Sequence, residues 1–171
     1  MRIAVTGTPG TGKTTATRRL EGRGDYEIVH LNDVVESESL YTDVDDERDS
    51  LIADLDGLER FLADRDDVLF ESHLAHHLPA DRIVVLRCEP SILEKRLRDR
   101  GETDAKAREN AESEALDVIL SEAVERYGLE SIYEIETTNR EPEAIADAID
   151  AVRRGEREPS AGEVDYVGYL A

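Results

Sequence analysis

Short apolar runs rich in β-branched residues alternate with longer segments that carry apolar residues at helical spacing. The apolar runs predict five strands, namely Arg2–Thr6, Tyr26–Leu31, Val68–Phe70, Arg82–Leu86 and Ser131–Glu136. Because helical segments separate most of these strands, right-handed crossovers favour a parallel sheet with helices on both faces. The pattern therefore predicts an α/β fold that binds its ligands at the carboxyl ends of the strands.

Helical periodicity places helices between and after these strands. The predicted helices are Thr14–Leu20, Leu51–Ala63, a segment from Pro90 to Arg100, Asn110–Tyr127 and Pro142–Val152. The segment Asn32–Ser50 is polar, acidic and weakly periodic, so we expect a mobile excursion over the sheet. From Arg153 onward we expect a loose tail, although its apolar residues could dock on a surface. The sequence thus predicts one domain at residues 1–154 and a flexible C-terminal tail at residues 155–171.

The chain is strongly acidic, with 41 acidic residues against 21 basic ones and a formal net charge of −20. In molar salt the Debye length falls to about 3 Å, so dispersed surface carboxylates repel each other little while they keep the surface hydrated. We therefore infer a halophilic source. The acidity would also attract a basic partner, and the bulk charge does not decide between these two explanations.

Membrane and disulfide-based classes of protein do not fit this sequence. The 171 residues contain no apolar run near the roughly 20 residues needed to cross a bilayer, and the first residues lack a signal-peptide profile. We therefore expect a soluble cytoplasmic protein without a membrane partner. The only cysteine, Cys88, can form neither an internal disulfide nor a Cys-based zinc site, and its apolar neighbours predict a buried thiol.

The strongest chemical signal is the segment Gly7–Thr14 (GTPGTGKT), which fits GxxxxGK[ST] at every fixed position. Its glycines let the backbone curl so that successive N–H groups point at phosphate oxygens, and the following helix adds the positive end of its dipole. We expect Lys13 to reach the β and γ phosphates of ATP and the Thr14 hydroxyl to bind Mg²⁺. A Gly-rich turn could match by chance, but the preceding strand and the following helix provide the context that a phosphate loop requires.

A carboxylate that helps to hold the metal is expected at the end of a neighbouring strand. Glu71 follows the apolar run Val68–Phe70 directly, and His73 is two residues further on. We predict that Glu71 lies on the metal side of the site and that His73 positions a water or a phosphate. The alternative is an ordinary strand-end carboxylate beside a surface histidine. His76 and His77 resemble metal ligands but lack further spaced partners, so the sequence assigns them no role.

Arginines are needed to neutralise the charge of a transferring phosphoryl group. Arg96 and Arg100 are one helical turn apart, and they precede the polar segment Gly101–Glu109, which is placed like a small lid. Exposed arginines are common in this chain, so Arg100 is a candidate mainly because of its position at a helix end.

Taken together, these segments resemble the archaeal and eukaryotic adenylate kinases of the ribosome-assembly type, called nuclear adenylate kinase or coilin-interacting nuclear ATPase in eukaryotes. The similarity covers about residues 2–154. It is carried by GTPGTGKTT, by LNDVV…LYTDVDDERDS, by the acid-x-His pair at Glu71 and His73, by VVLRCEPSILEKRLRDRG, and by KARENAESE from Lys106.

The resemblance implies a P-loop NMP-kinase-like three-layer fold with a five-stranded parallel sheet. It implies a nucleoside monophosphate (NMP) region at about residues 28–51, which includes Asp33, and a short lid at about residues 100–109. The implied ATP contacts come from Gly10, Gly12, Lys13, Thr14, Thr15 and Arg100. Thr14 and Glu71 are the candidate Mg²⁺ ligands. The candidate catalytic residues are Lys13, Glu71, His73 and Arg100.

The resemblance also implies an activity and partners. The activity is that of a broad-specificity NMP kinase, converting ATP and NMP into ADP and NDP with Mg²⁺, beside an ATPase activity. The implied partner is a basic platform protein of the small ribosomal subunit. The chain would bind it on the pre-ribosomal small subunit during late maturation. Direct sequence-specific DNA binding is not expected. Two departures bear on this: Glu71 stands where the family usually has Asp, and Glu102 stands where an aromatic residue commonly follows the lid glycine.

Other functions of the same fold class remain to be separated. Shikimate kinases need a Gly-rich triplet after the third strand, where this chain has Glu71-Ser72-His73-Leu74, and the zinc lid of bacterial-type adenylate kinases needs more than one cysteine. A different class is an ATP-gated assembly factor in which NMP transfer is incidental. The acid-x-His pair favours that alternative, because a pure transferase must keep water away from the γ-phosphate.

Overall fold

A computed structural model of the chain describes residues 1–47 and 50–171. The strands are β1 (Arg2–Thr6), β2 (Glu27–His30), β3 (Tyr41–Asp45), β4 (Ser50–Ala53), β5 (Val68–Glu71), β6 (Arg82–Arg87) and β7 (Ile132–Glu136). Five of them form a parallel sheet in the order β2-β5-β1-β6-β7, while β3 and β4 form a separate antiparallel hairpin. The predicted α/β fold with a five-stranded parallel sheet is confirmed.

Helices cover both faces of this sheet. They are α1 (Lys13–Arg18), α2 (Leu31–Ser37), α3 (Leu55–Leu62), α4 (Pro90–Asp99), α5 (Asp104–Ala115), α6 (Val118–Tyr127) and α7 (Pro142–Arg153). Because successive strand residues point to opposite faces, Ile3 and Val5 pack against α1 and α7, whereas Ala4 packs on the side of α3 and α6. A smaller cluster joins α4 to α5 beside Cys88, whose thiol is buried as predicted.

The segment predicted as a mobile excursion contains regular structure. Residues 31–37 form α2, and the chain then turns through the β3–β4 hairpin before α3. Leu51 was assigned to a helix from its spacing but lies in β4, because the helix begins only after Asp54, whose side chain accepts a hydrogen bond from the Gly57 N–H at 3.0 Å. Arg48 and Asp49, which belong to the predicted NMP region, lie outside the described residues.

The segment after α4 also differs from the prediction. Most of the predicted lid at residues 100–109 is helical, because Thr103 caps α5 by accepting a hydrogen bond from the Lys106 N–H at 3.2 Å. The helix predicted over Asn110–Tyr127 is two helices, since the chain breaks at Asp117 with a φ of 55°. Leu116, an apolar residue at helical spacing in the predicted helix, is exposed at this break.

The C-terminal segment docks on the edge of the sheet instead of lying loose. Ser160 pairs with β7, accepting from the Glu134 N–H at 2.9 Å, and the Glu134 side chain accepts from the backbone N–H of Glu163 at 2.8 Å. Further on, the Tyr166 ring lies under the Arg87 guanidinium, and the Tyr169 hydroxyl donates to Glu94 at 2.6 Å. The sequence left open that apolar residues of this segment dock on a surface, and in the structure the segment packs on the domain.

Within the described ranges, no helix is long and apolar enough to cross a membrane.

Candidate active site

The phosphate loop connects β1 to α1 at the carboxyl end of the sheet, and its glycines allow its shape. Gly7 has a φ of 148°, and a Cβ atom there would lie 2.6 Å from the Leu86 carbonyl oxygen of the neighbouring strand. Gly12 has a φ of 93°, which side-chain-bearing residues rarely adopt. The loop is closed internally by the Thr11 hydroxyl, which donates to the Thr8 carbonyl at 2.9 Å. The backbone is therefore held curled.

Lys13 lies inside this loop. Its ammonium donates to the carbonyl oxygens of Gly7 at 2.7 Å and of Thr8 at 3.2 Å. Burial lowers the pKa of Lys13 to about 8, against the opposing influence of the Glu71 and Glu114 carboxylates. The Lys13 ammonium is thus largely removed from water. Phosphate oxygens bound in the loop would stabilise its charged form and raise its pKa again.

Thr14 and Glu71, the two predicted metal ligands, lie next to each other. The Thr14 hydroxyl donates to Glu71 Oε1 at 2.9 Å, and His30 Nδ1 lies 2.9 Å from the same oxygen. The second carboxylate oxygen, Oε2, is buried without a hydrogen-bond partner among the described residues. An unpartnered buried oxygen beside a hydroxyl is a donor set that suits Mg²⁺, so these residues fit the metal that a phosphate loop requires.

His30 was not singled out from the sequence. It ends β2, directly opposite Glu71 at the end of β5, and its Nε2 lies 2.9 Å from Glu21. The hydrogen bond to Glu71 raises the pKa of His30. No sequence signal pointed to it, because the parallel pairing of β2 with β5 brings together residues 41 positions apart.

His73 lies at the phosphate pocket but remains uncharged near neutral pH. Burial lowers the pKa of His73 to about 4, and the Lys13 charge acts in the same direction. It lines the pocket of about 320 Å³ that also contains the phosphate loop and Arg100. The structure therefore brings together most of the predicted set: Gly10, Gly12, Lys13, Thr14, Thr15, Glu71, His73 and Arg100.

Two larger clefts open from this pocket on different sides. One, of about 350 Å³, is walled by Thr15, Arg96, Arg100 and a further arginine, Arg140, which precedes α7 and had no sequence signal. The other, of about 480 Å³, lies between α2 and the hairpin and includes His73. Asn32 lines this second cleft. Its neighbour Asp33, which the sequence placed in the NMP region, is exposed on α2 and lines none of the three cavities formed by the described residues.

The phosphate loop rests on a buried ionic network. The Thr8 hydroxyl donates to Glu114 at 2.5 Å, and the other Glu114 oxygen accepts from Arg87 Nε at 2.7 Å. Arg87 is 1% exposed and also donates to Glu134 at 2.9 Å and to Asp117. Although burial disfavours the cation, the Glu114 and Asp117 carboxylates raise the pKa of Arg87, so the charge is retained. The network was missed because Thr8 and Glu114 are 106 positions apart.

Comparisons with known proteins agree with this architecture. Residues 3–117 match the family described as "AAA domain". The chain is 61% identical over 170 residues to a protein of Natronomonas pharaonis named "Putative adenylate kinase", covering 99% of this chain and 100% of the relative. It is 41% identical to a Methanosarcina acetivorans protein of the same name, covering 89% and 86%.

Solved structures share the fold at low identity. A gluconokinase from Sinorhizobium meliloti is 18% identical with a TM-score of 0.52, covering 91% of this chain and 93% of that one. A shikimate kinase from Bacteroides thetaiotaomicron is 17% identical with a TM-score of 0.55, covering 90% and 97%. The chain belongs to the AAA-domain family and to the group of archaeal proteins that carry the name "Putative adenylate kinase".

Proposed function

We propose that the protein is a broad-specificity kinase that transfers the γ-phosphoryl group of ATP to nucleoside monophosphates with different bases. The observation that carries this proposal is the arrangement of the cavities. The phosphate pocket shares Gly10, Gly12 and Arg100 with one cleft, and Asn32 and His73 with the other. A transferase must hold two nucleotides whose phosphates meet, whereas an ATPase needs only one nucleotide cleft.

On this proposal the arginine-walled cleft takes ATP. Gly10, Gly12, Lys13, Thr14 and Thr15 hold its phosphates, and Arg100 neutralises charge on the transferring group, because charge spreads over the phosphoryl oxygens in the transition state. Thr14 and Glu71 would hold Mg²⁺, and the ion when bound would screen the charge of the phosphate oxygens. The burial of Lys13 supports its role, since a desolvated ammonium interacts more strongly with phosphate than an exposed one.

The cleft between α2 and the hairpin takes the acceptor. Much of its wall is apolar and can pack on any base face, while Asn32, Glu36 and Ser50 supply a few polar groups. Such a wall distinguishes bases weakly, because apolar contact lacks the unpaired polar groups that reject a wrong partner. This composition supports broad NMP specificity and moves the NMP contact from Asp33 to the neighbouring Asn32.

A second function, ATP hydrolysis linked to late maturation of the small ribosomal subunit, is supported by His73. Its depressed pKa keeps the ring neutral, so one ring nitrogen can accept a hydrogen bond from a water at the γ-phosphate. The net charge of −20 suits a basic ribosomal platform protein as partner. In this role the nucleotide state would gate the partner, and NMP transfer would be incidental.

The two functions are separated by measuring ADP formation from ATP in molar KCl with and without AMP. A transferase forms ADP at least about tenfold faster when AMP is present, with two ADP for each ATP consumed, whereas an assembly ATPase is insensitive to AMP. No dependence on AMP, CMP or UMP would contradict the transferase.

Replacing His73 tests its assignment to hydrolysis. His73→Ala should reduce hydrolysis more than transfer, because transfer brings its own nucleophile while hydrolysis must position a water. His73→Gln, which keeps a polar group, is the matched variant and should retain more hydrolysis than His73→Ala. Equal losses of both activities would make His73 a structural residue.

A further inference from the structure

A cluster of two histidines and one carboxylate lies outside the phosphate pocket. His76 and His77 end the short 3-10 turn that follows β5, and Glu122 lies on α6. Their ligand atoms all lie within 4.8 Å of one another, with His76 Nε2 at 2.7 Å and His77 Nε2 at 3.7 Å from Glu122 Oε2. Ligands of a tetrahedral zinc ion with bonds of roughly 2.0–2.1 Å lie about 3.3 Å apart, so small rotations would bring all three onto one ion.

The surroundings of His76 resemble those of a metal ligand. Its ring is 1% exposed, and Nδ1 lies 2.8 Å from the hydroxyl of Thr6, itself buried at the end of β1. If Nδ1 donates its proton to that hydroxyl, Nε2 is left unprotonated and aimed at Glu122. A hydrogen bond of this kind to the non-ligating nitrogen orients most histidine ligands in metal sites.

The remaining two ligands leave room for solvent. The side chains of His77 and Glu122 are 34% and 46% exposed, so the cluster opens at the surface. Three protein ligands with an open side match sites in which water completes the coordination. Arg126, one turn further along α6, is the neighbouring cation, but its Nε is engaged with the Tyr127 hydroxyl at 3.3 Å.

We propose that His76, His77 and Glu122 bind a divalent ion of the zinc class, which fastens the turn after β5 to α6. Without the ion, Nε2 carries the ring proton and donates to Glu122 while Nδ1 accepts from the Thr6 hydroxyl; binding of the ion would displace that proton and leave the N–H on Nδ1. Imidazole ligands favour Zn²⁺ and Co²⁺ over Mg²⁺ and Ca²⁺, so the many carboxylates on this acidic surface compete weakly for the ion. The turn that the ion would fasten continues directly from Glu71 and His73, and Thr6 links His76 to the end of β1.

Cobalt absorption tests the proposal on the full chain. EDTA-treated protein in molar KCl with excess Mg²⁺ is titrated with Co²⁺, whose visible bands intensify when histidines bind it in a four- or five-coordinate site. We expect one equivalent of intense signal that Zn²⁺ removes. Glu122→Gln and His77→Ala, both at the surface, should each weaken binding at least about tenfold.

Two control variants locate the signal. Glu125→Gln alters an exposed carboxylate on the same helix and should bind Co²⁺ like the original chain. Thr14→Ala should also leave the signal unchanged, which separates it from the magnesium position. The proposal is overturned if only the weak spectrum of octahedral Co²⁺ is seen, or if Glu122→Gln and Glu125→Gln bind Co²⁺ equally.

Discussion

The two walls of the phosphate pocket differ in how firmly the protein holds them. On the loop side, Thr8, Thr11 and Glu71 are at most 2% exposed and have hydrogen-bond partners in the fold. On the hairpin side, Val44 and Leu51 face each other across β3 and β4, yet they are 47% and 37% exposed. The loop side is held by hydrogen bonds of the fold itself, apart from Glu71 Oε2, whereas these hairpin side chains keep apolar surface that is available to a bound base.

The proposed function accounts for this difference. Dipoles and charges aimed at a transition state act best when they need no reorganisation, and burial in a hydrogen-bonded network provides that rigidity. A wall that accepts several bases gains more from apolar side chains that can adjust, since each buried methylene contributes about 0.8 kcal/mol without requiring a fixed direction. The comparison predicts that variants of the loop side lose catalysis or stability, while variants of the hairpin side lose only affinity.

The largest effect is expected at the centre of the loop side. On the proposed function, Lys13→Ala removes the positive charge that faces the phosphates and Thr14→Ala removes a proposed Mg²⁺ ligand, so each should lower kcat/KM for both transfer and hydrolysis by about 100-fold or more. Lys95→Ala, which removes an exposed lysine paired with Asp99, is the control and should be silent. Steady-state rates decide the matter, and near-normal turnover in both variants would refute the phosphate-loop assignment.

The next effect concerns the support beneath the loop. Glu114→Ala removes a carboxylate that accepts from both Thr8 and Arg87, and breaking a buried ion pair costs about 3–5 kcal/mol. Glu112→Ala on the same helix breaks only the exposed pair with Arg108 and should cost under about 1 kcal/mol. Denaturant unfolding in molar KCl measures both, and similar losses would mean that the network does not hold the loop.

The sequence predicted the loop side well because its signal is local. Eight consecutive residues fix the curl of the backbone, and Glu71 follows a strand that can be read from its own apolar run. His30, Glu114 and Arg140 could not be found in this way, since each reaches the site through pairing or packing of distant segments. On the hairpin side, Leu51 fits the spacing of a helix as well as that of a strand, and only the Asp54 cap decides between them.

A smaller effect is expected where the two walls meet, at His73. Its pKa of about 4 in the fold lies below the ordinary 6.5, so between these values the unfolded chain binds a proton that the folded chain does not. Stability should therefore fall as pH drops from 6.5 towards 4, by up to about 2 kcal/mol after solvent screening. His30 acts oppositely, because its raised pKa stabilises the fold below pH 6.5 and this contribution is lost as pH rises through the folded value.

Comparison with His73→Gln isolates that contribution. Both proteins share every other titrating group, so the difference between their thermal midpoints at pH 7 and at pH 4.5 in molar KCl reports His73 alone. We expect the variant to lose less stability on acidification. Parallel curves would show that the ring is not desolvated in the fold.

The smallest effect is expected at the hairpin, where neighbouring residues provide a matched pair. Leu51 lines the cleft proposed for the acceptor, whereas Ile52, next along β4, points to the other face and lines none of the cavities described above. Leu51→Ala should raise the KM for AMP by about 2- to 10-fold, equivalent to up to about 1.4 kcal/mol, with kcat unchanged, because packing on a base is equal in the ground and transition states. Ile52→Ala removes a similarly exposed side chain and should leave both constants as they are. A fall in kcat for Leu51→Ala would mean that this wall also positions the reacting phosphates, and the division between a preformed and an adaptable wall would not hold.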